Sequence, residues 1–287
     1  MKRSYIFITL LLSILTMGSK SYSQDDFSIL KGPYMGQKPP GMVAEPFAPG
    51  IISKEGWQIG GMFAPGMKEF YFTTNRKKNT VIGFRQQNNS WKKYIEFPRR
   101  GQIAFSPDGK RMHMAKGYKD RIDDGWSERK SLGPMFDRKD WHIMRLSASA
   151  KGTYVFDEAT KDGNGVLRYS QRVDGKREAP KPLSKAINTG KWNAHPFIAP
   201  DDSYLIWDSE REEGYGGNDL YISYRQKNGA WGAAINMGDK VNSDKEDFGA
   251  NVTPDGKYIF FNRNVGDGNT DIFWVDTQVI ENLRPKS

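Results

Sequence analysis

The chain has 287 residues, with 43 Lys and Arg against 34 Asp and Glu for a formal charge of +9, and it interleaves the two signs without a long single-sign block. That pattern argues against a nucleic-acid-binding arm or a polybasic membrane anchor and for an ordinary solvated surface. There is no cysteine, so disulfides, thiolate metal sites and a lipidated N-terminal Cys are excluded, and frequent Gly with many aromatics suits one large all-β domain of short strands or two small ones.

Lys2 and Arg3 precede an apolar run from Tyr5 to Met17, and Ser21-Tyr22-Ser23 supplies a small-x-small pattern. Residues 1–23 therefore have the form of a secretory signal peptide, too short for a comfortable membrane span. The expectation is a periplasmic or secreted protein with no membrane insertion after cleavage. Losing Lys2, Arg3 and Lys20 would lower the charge from +9 to +6. Residues 24–42 then form an N-terminal extension to a single domain over 43–287.

From there a strand-turn-strand phrase recurs: "MFAPGMKEFYF" (62–72), "AFSPDGKRMHM" (104–114), "LSASAKGTYVF" (146–156), "FIAPDDSYLIW" (197–207) and "NVTPDGKYIFF" (251–261). The turn positions Pro65, Pro107, Ala150, Pro200 and Pro254 are 42, 43, 50 and 54 residues apart, which are propeller-blade periods. A third strand follows in "NTVIGFRQ" (79–86), "GVLRYSQR" (165–172), "NDLYISYR" (218–225) and "TDIFWV" (270–275), with a short or irregular one expected in blade 2. Fourth strands follow in "SWKKYIEFP", "GWSERKSLG", "REAPKPLSKAIN" and "AWGAAINMGDKVN". None follows the fifth hairpin, so "AEPFAPGIIS" (44–53) is expected to close the last blade and remove the open edge. The predicted fold is an all-β, five-bladed β-propeller of four-stranded antiparallel blades.

These Pro-Asp-Gly hairpins, with "GGNDLYISYR" and "AWGAAINMG" behind them, resemble the TolB-type, WD40-like β-propeller repeats of bacterial envelope proteins over roughly residues 43–283. The resemblance implies a fold and a compartment, and by analogy an envelope protein as partner. It does not imply an activity, because propellers host binding proteins and enzymes alike. "SASAKG" in blade 3 departs from the motif.

The Pro-Asp-Gly turns must share one face, where Asp108, Asp201 and Asp255 serve turn geometry. The longer, more varied loops gather on the other face, where a ligand site is expected. Aligning the starts of the innermost strands puts Trp57, Arg99, His142, Trp192 and Glu246 at one level, then Gln58, Arg100, Ile143, Asn193 and Asp247. Two positions deeper stand Gly60, Gln102, Arg145, His195 and Gly249. Residue types that differ from blade to blade on a repeating scaffold point to a site. The candidate ligand-binding set is Trp57, Arg99, Arg100, His142, Arg145, Trp192, Asn193, His195, Glu246 and Asp247.

Guanidinium groups beside indoles suit a carboxylated or sulfated sugar. The leading reading is a module, expected to be monomeric, that binds a ligand, glycan or envelope protein through this face, with no nucleic-acid partner. The alternative is a carbohydrate-active enzyme on uronate or sulfated oligosaccharides, a lyase or a glycoside hydrolase. His142, His195, Arg145 and Glu246 are its catalytic candidates, with a histidine as base. Hydrolysis needs two carboxylates across the bond, and Asp157, Glu158 or Asp208 would have to partner Glu246 or Asp247. No motif demands a cofactor. A divalent metal held at the channel mouth by His142, His195 and Glu246 stays open, as does calcium near Asp162 and Asp267, where turn chemistry is the simpler account. His113, in the apolar "RMHM", is expected to pack between blades.

Overall fold

The computed structural model of the chain describes residues 30–74 and 78–286; the expected signal peptide lies outside the described residues. Five blades of antiparallel strands surround one axis. Blade 1 contains Gln58–Phe63, Glu69–Thr74, Thr80–Gln87 and Ser90–Pro98; blade 4 contains Lys191–Ile198, Tyr204–Glu210, Asn218–Tyr224 and Ile235–Asn236. Blade 5 orders Asp247–Val252, Tyr258–Gly266 and Asn269–Asp276 from the axis outward, and its fourth strand is Glu45–Pro46 from the beginning of the domain. The register Glu45 to Trp274 and Pro46 to Phe273 closes the ring as expected.

Blade 2 differs from expectation in its third strand. Gly117–Ile122 is continuous and pairs fully with Arg111–Met114. Its sequence, GYKDRI, hides it because most of its side chains are only partly buried. In blade 3 the strands are Leu146–Ala148, Tyr154–Asp157, Leu167–Ser170 and Lys181–Pro182. The tip of its outer hairpin splits off as a separate two-stranded sheet, Arg172–Val173 with Lys176–Arg177. Asp174 and Gly175 both take positive φ there, 48° and 76°, which is the tight hairpin turn that an Asp-Gly pair favours.

The second strand of blade 4, "YLIWDSE", opens on an apolar run and is buried from Leu205 to Ser209, because neighbouring blades cover both faces. The seam between blades 5 and 1 is aromatic: Phe47, Phe63, Phe70, Phe260 and Trp274 are buried together, with Phe47 4.8 Å from Phe260. Such pairs add about 0.5–1.5 kcal/mol each beyond their buried area. The packed unit begins ahead of residue 43. Leu30 and Met35 enter this core, and the Leu30 carbonyl accepts from the Trp91 amide at 2.9 Å. At the other end, Val279 and Ile280 of the helix Gln278–Leu283 are buried against blades 4 and 5. No helix among the described residues is long and apolar enough to cross a membrane.

The turn aspartates behave as their sequence implies. Asp108 accepts from Ser106 Oγ at 2.6 Å and the Lys110 amide at 3.0 Å; Asp255 accepts from Thr253 Oγ1 at 2.6 Å, and Asp201 from the Ser203 amide at 3.0 Å. Gly109 and Gly256 supply positive φ, and Asp202 takes that conformation in blade 4.

Candidate functional site

The site begins with a backbone irregularity. The inner strands of blades 1, 4 and 5 slip register between Ile59 and Met62, Ala194 and Phe197, and Phe248 and Asn251. One residue in each bulge takes positive φ: Gly60 at 68°, His195 at 46° and Gly249 at 69°. Glycine adopts this conformation without a Cβ clash, whereas a histidine pays roughly 1–2 kcal/mol for it. Bulges re-aim side chains, and here the side chain presented is an imidazole.

The bulge amides are tied to the neighbouring blade. Asn262 Oδ1 accepts from Gly60 N at 2.7 Å, Asp208 Oδ1 from Gly249 N at 2.8 Å, and Asp157 Oδ2 from His195 N at 2.9 Å. Asp157 Oδ1 also accepts from Met144 N at 2.6 Å and Arg145 N at 3.2 Å. Burial raises the Asp157 carboxyl above its ordinary pKa, against the pull of His195 and the amide bonds. Asp157 and Asp208 are both wholly buried.

Asp208 has a second task. Its two oxygens each lie 3.1 Å from His195 Nδ1. A carboxylate accepts, so Nδ1 carries the hydrogen; Nε2 has no hydrogen-bond partner among the described residues, and the side chain keeps 11% exposure. The neighbouring guanidinium of Arg145 is enclosed, donating to the Ala250 carbonyl at 2.7 Å and the His195 carbonyl at 3.5 Å. Burial lowers Arg145 to about 10, while Asp208 and Asp157 act to raise it.

Arg99 lies 5.9 Å over the Trp57 ring. Burial lowers its pKa, and the charge of Asp157 opposes that shift. Arg99 Nε, Gln102 Nε2, Arg145 Nε, Asn193 Oδ1 and Asn251 Oδ1 are buried with no hydrogen-bond partner. All five belong to inner strands or the segments leading into them, and buried polar atoms without partners are uncommon in folded proteins.

The rest of the expected set disperses. His142 and Arg100 are exposed. Trp192 is 43% exposed, and its amide donates to the Gly163 carbonyl at 2.7 Å. Glu246 is exposed and accepts from Asn264 Nδ2 at 3.3 Å. Asp247 is wholly buried, holding Arg263 Nε at 2.6 Å and Ser243 N at 2.8 Å, which makes it a loop anchor. Among the described residues no three His, Asp or Glu side chains converge as a metal-ligand set, so His142, His195 and Glu246 do not form one. Asp162 accepts from Thr160 Oγ1 at 2.6 Å and Asn164 N at 3.1 Å, which is turn chemistry.

The opposite, turn-bearing face is less plain than its short loops imply. Between Pro65, Pro107, Pro200 and Pro254 opens a funnel of about 280 Å³, walled by Phe105, Phe197 and Tyr204, with Arg145 also lining it. Arg145 thus borders an apolar funnel on the turn-bearing side while its guanidinium donates to the Ala250 and His195 carbonyls.

No family model matches the chain, and no curated protein does so either. Its fold is similar to that of an endo-arabinase from Bacteroides thetaiotaomicron, at 14% identity and TM-score 0.51, over 84% of this chain and 97% of that one. Structural neighbours also include TolB from Acinetobacter baumannii, at 12% identity and TM-score 0.46 over 76% of this chain. The chain spans 54% of that protein's length. A gluconolactonase from Xanthomonas campestris, XC5397, matches at 8% identity and TM-score 0.49, over 78% of this chain and 86% of that one.

Proposed function

We propose that the chain is an exported binding propeller, periplasmic or secreted and monomeric, that takes an anionic saccharide at the mouth of its axial channel. An endo-arabinase occurs among its structural neighbours, which supports a carbohydrate-directed reading without choosing a ligand. The observation that carries it is His195, which stands in a left-handed bulge where blades 1 and 5 have Gly and is fastened through Nδ1 to Asp208. Arg99 would meet the carboxylate or sulfate, the Trp57 ring beside it would face the sugar, and His195 Nε2 would accept from a hydroxyl. Titration calorimetry with oligogalacturonate and with a sulfated oligosaccharide tests this. Arg99→Gln should weaken binding at least tenfold, and unchanged affinity in that variant would sink the reading.

The His195–Asp208 pair also favours one enzymatic reading, elimination on a uronate. His195 Nε2 would take the proton alpha to the carboxylate, the electron pair would form the ring double bond, and the glycosidic oxygen would leave and be protonated. Two-carboxylate hydrolysis is less well served, because Asp157 and Asp208 are buried and committed to backbone amides. Ultraviolet absorbance from unsaturated product, abolished in His195→Asn, is the expected sign of the lyase. Binding without such product would leave the binding module. An envelope protein as partner would be tested by co-purification from the periplasm.

A further inference from the structure

A second concavity lies between blades 2 and 3, away from the axis. It encloses about 590 Å³ and is bounded by the turns after Ser106 and Ser149, by Arg111, Arg121 and Tyr154, and by the split-off hairpin tip of blade 3. That tip supplies Arg172 and Arg177. The Asp-Gly turn between them fixes their placement, as described above.

The charges in this cleft are unevenly paired. Arg111 is engaged by Asp120 at 3.0 Å and Arg121 by Glu69 at 2.9 Å. Asp108 is occupied by its own turn. Arg172 and Arg177, in contrast, donate to the carbonyls of Gly175 at 3.0 Å and Ser170 at 2.9 Å and have no acidic partner among the described residues. Arg177 lies over Tyr154, its guanidinium carbon 3.6 Å from the ring centroid, a cation–π contact that restricts where the fork can sit.

The independent sign is His113. It lines the same cleft and is 1% exposed, and neither ring nitrogen has a hydrogen-bond partner. Its ring packs edge-on against Tyr154 at 5.1 Å. Burial, reinforced by Arg111 and Arg177, lowers its pKa to about 3, so it is a neutral imidazole with one donor and one acceptor. Buried polar atoms without partners are uncommon in folded proteins and call for a ligand or an ordered water.

We propose that this cleft is a second binding site, specific for a carboxylate or sulfate carried on a hydroxyl-bearing sugar. Arg172 and Arg177 take the oxyanion and His113 takes a hydroxyl. The site is separate from the axial mouth and does not depend on the reading given to it.

The test follows the His113 ring by 15N NMR while glucuronate, glucose 6-sulfate, glucose and inorganic sulfate are titrated into the intact protein. The two anionic sugars should shift the His113 resonances, glucose should not, and Arg172→Gln and Arg177→Gln should each weaken the response at least tenfold. Because Arg172 is exposed, its variant should fold even if the Arg177 variant does not. The proposal is overturned if neither anionic sugar moves His113, or if the response survives Arg172→Gln. It is equally overturned if the response is lost only in Arg99→Gln, which would assign the binding to the axis. Inorganic sulfate binding as tightly as glucose 6-sulfate would remove the sugar from the site.

Discussion

Blades 5 and 1 are joined in the same way as blades 3 and 4, with different chemistry. In both seams a side-chain oxygen on a second strand accepts the bulge amide of the next inner strand. Asn262 does this for Gly60 with a neutral carboxamide, and Asp157 does it for His195 with a carboxylate. The latch itself therefore needs no charge. A buried carboxylate costs several kcal/mol to desolvate unless its surroundings compensate. At blades 3 and 4 the compensation comes from several backbone amides and from the nearby Arg145 and His195. Of the three bulges, those at His195 and Gly249 are held by the carboxylates Asp157 and Asp208, and the one at Gly60 by a neutral carboxamide.

The widest separation between the two seams should appear when the latch is removed. Asp157→Ala would strip the acceptor from three amides, two of them in fully buried surroundings. At about 1–3 kcal/mol per orphaned group, urea unfolding should show a loss of about 3–9 kcal/mol. Asn262→Ala orphans the Gly60 amide and should cost about 1–3 kcal/mol on the same basis. Equal losses would mean that the seams are not distinguished by their chemistry.

The two buried histidines extend the comparison. His195 has a carboxylate beside it, whereas His113 has none in contact and faces Arg111 and Arg177, with Asp108 and Asp120 acting more weakly in the opposite direction. The folded pKa of His113, about 3, lies below its ordinary value near 6.5. The unfolded chain therefore binds the extra proton between those values. Stability from this group is complete above about pH 6.5 and is lost as pH falls toward 3. Between pH 7 and pH 5 the wild-type protein should lose about 2 kcal/mol more than His113→Gln. Identical pH responses in denaturant titrations would show that His113 does not stay neutral.

A smaller thermodynamic effect, with a larger functional one, is expected at Asp208. Asp208→Asn retains an oxygen for Gly249 N but gives up the carboxylate on His195 Nδ1. Stability should change by about 1 kcal/mol, the difference between a charge-assisted and a neutral hydrogen bond, while saccharide affinity falls at least tenfold. Parallel losses in both measurements would make Asp208 a latch like Asn262.

The blade count and the closing strand were legible because the repeated turn chemistry survives in sequence order. So was the level containing Gly60, His195 and Gly249, since counting from the turns aligns them. Asp208 and Asn262 also correspond, each lying eight residues beyond Pro200 and Pro254. That count would have identified Asn262 as the partner of the acids. Asp247 was misleading because its partner Arg263 comes from the adjacent strand, and nothing in the linear order shows which of several loop acids turns inward. His113 read as packing because its apolar neighbours are visible in sequence and the cleft beside it is not. The third strand of blade 2 escaped because its half-exposed residues carry neither a continuous nor an alternating apolar signal.

The mildest test measures what His195 costs the backbone. Gly60 has positive φ and nothing within 4 Å of where a Cβ would sit, whereas a Cβ on Gly249 would meet Asn262 Nδ2 at 2.5 Å. Gly60→Ala therefore isolates the conformational penalty of a side chain at the bulge, expected at about 1 kcal/mol in thermal or urea unfolding. Gly249→Ala should cost more, because it adds a steric clash beside Gln102 and Asn262. A neutral Gly60→Ala would show that the bulge accepts side chains freely, and His195 would then be a tolerated residue with no strain to explain. A penalty of the expected size means that the fold carries an avoidable cost at His195, and the Asp208 hydrogen bond that fixes its ring becomes the reason for it.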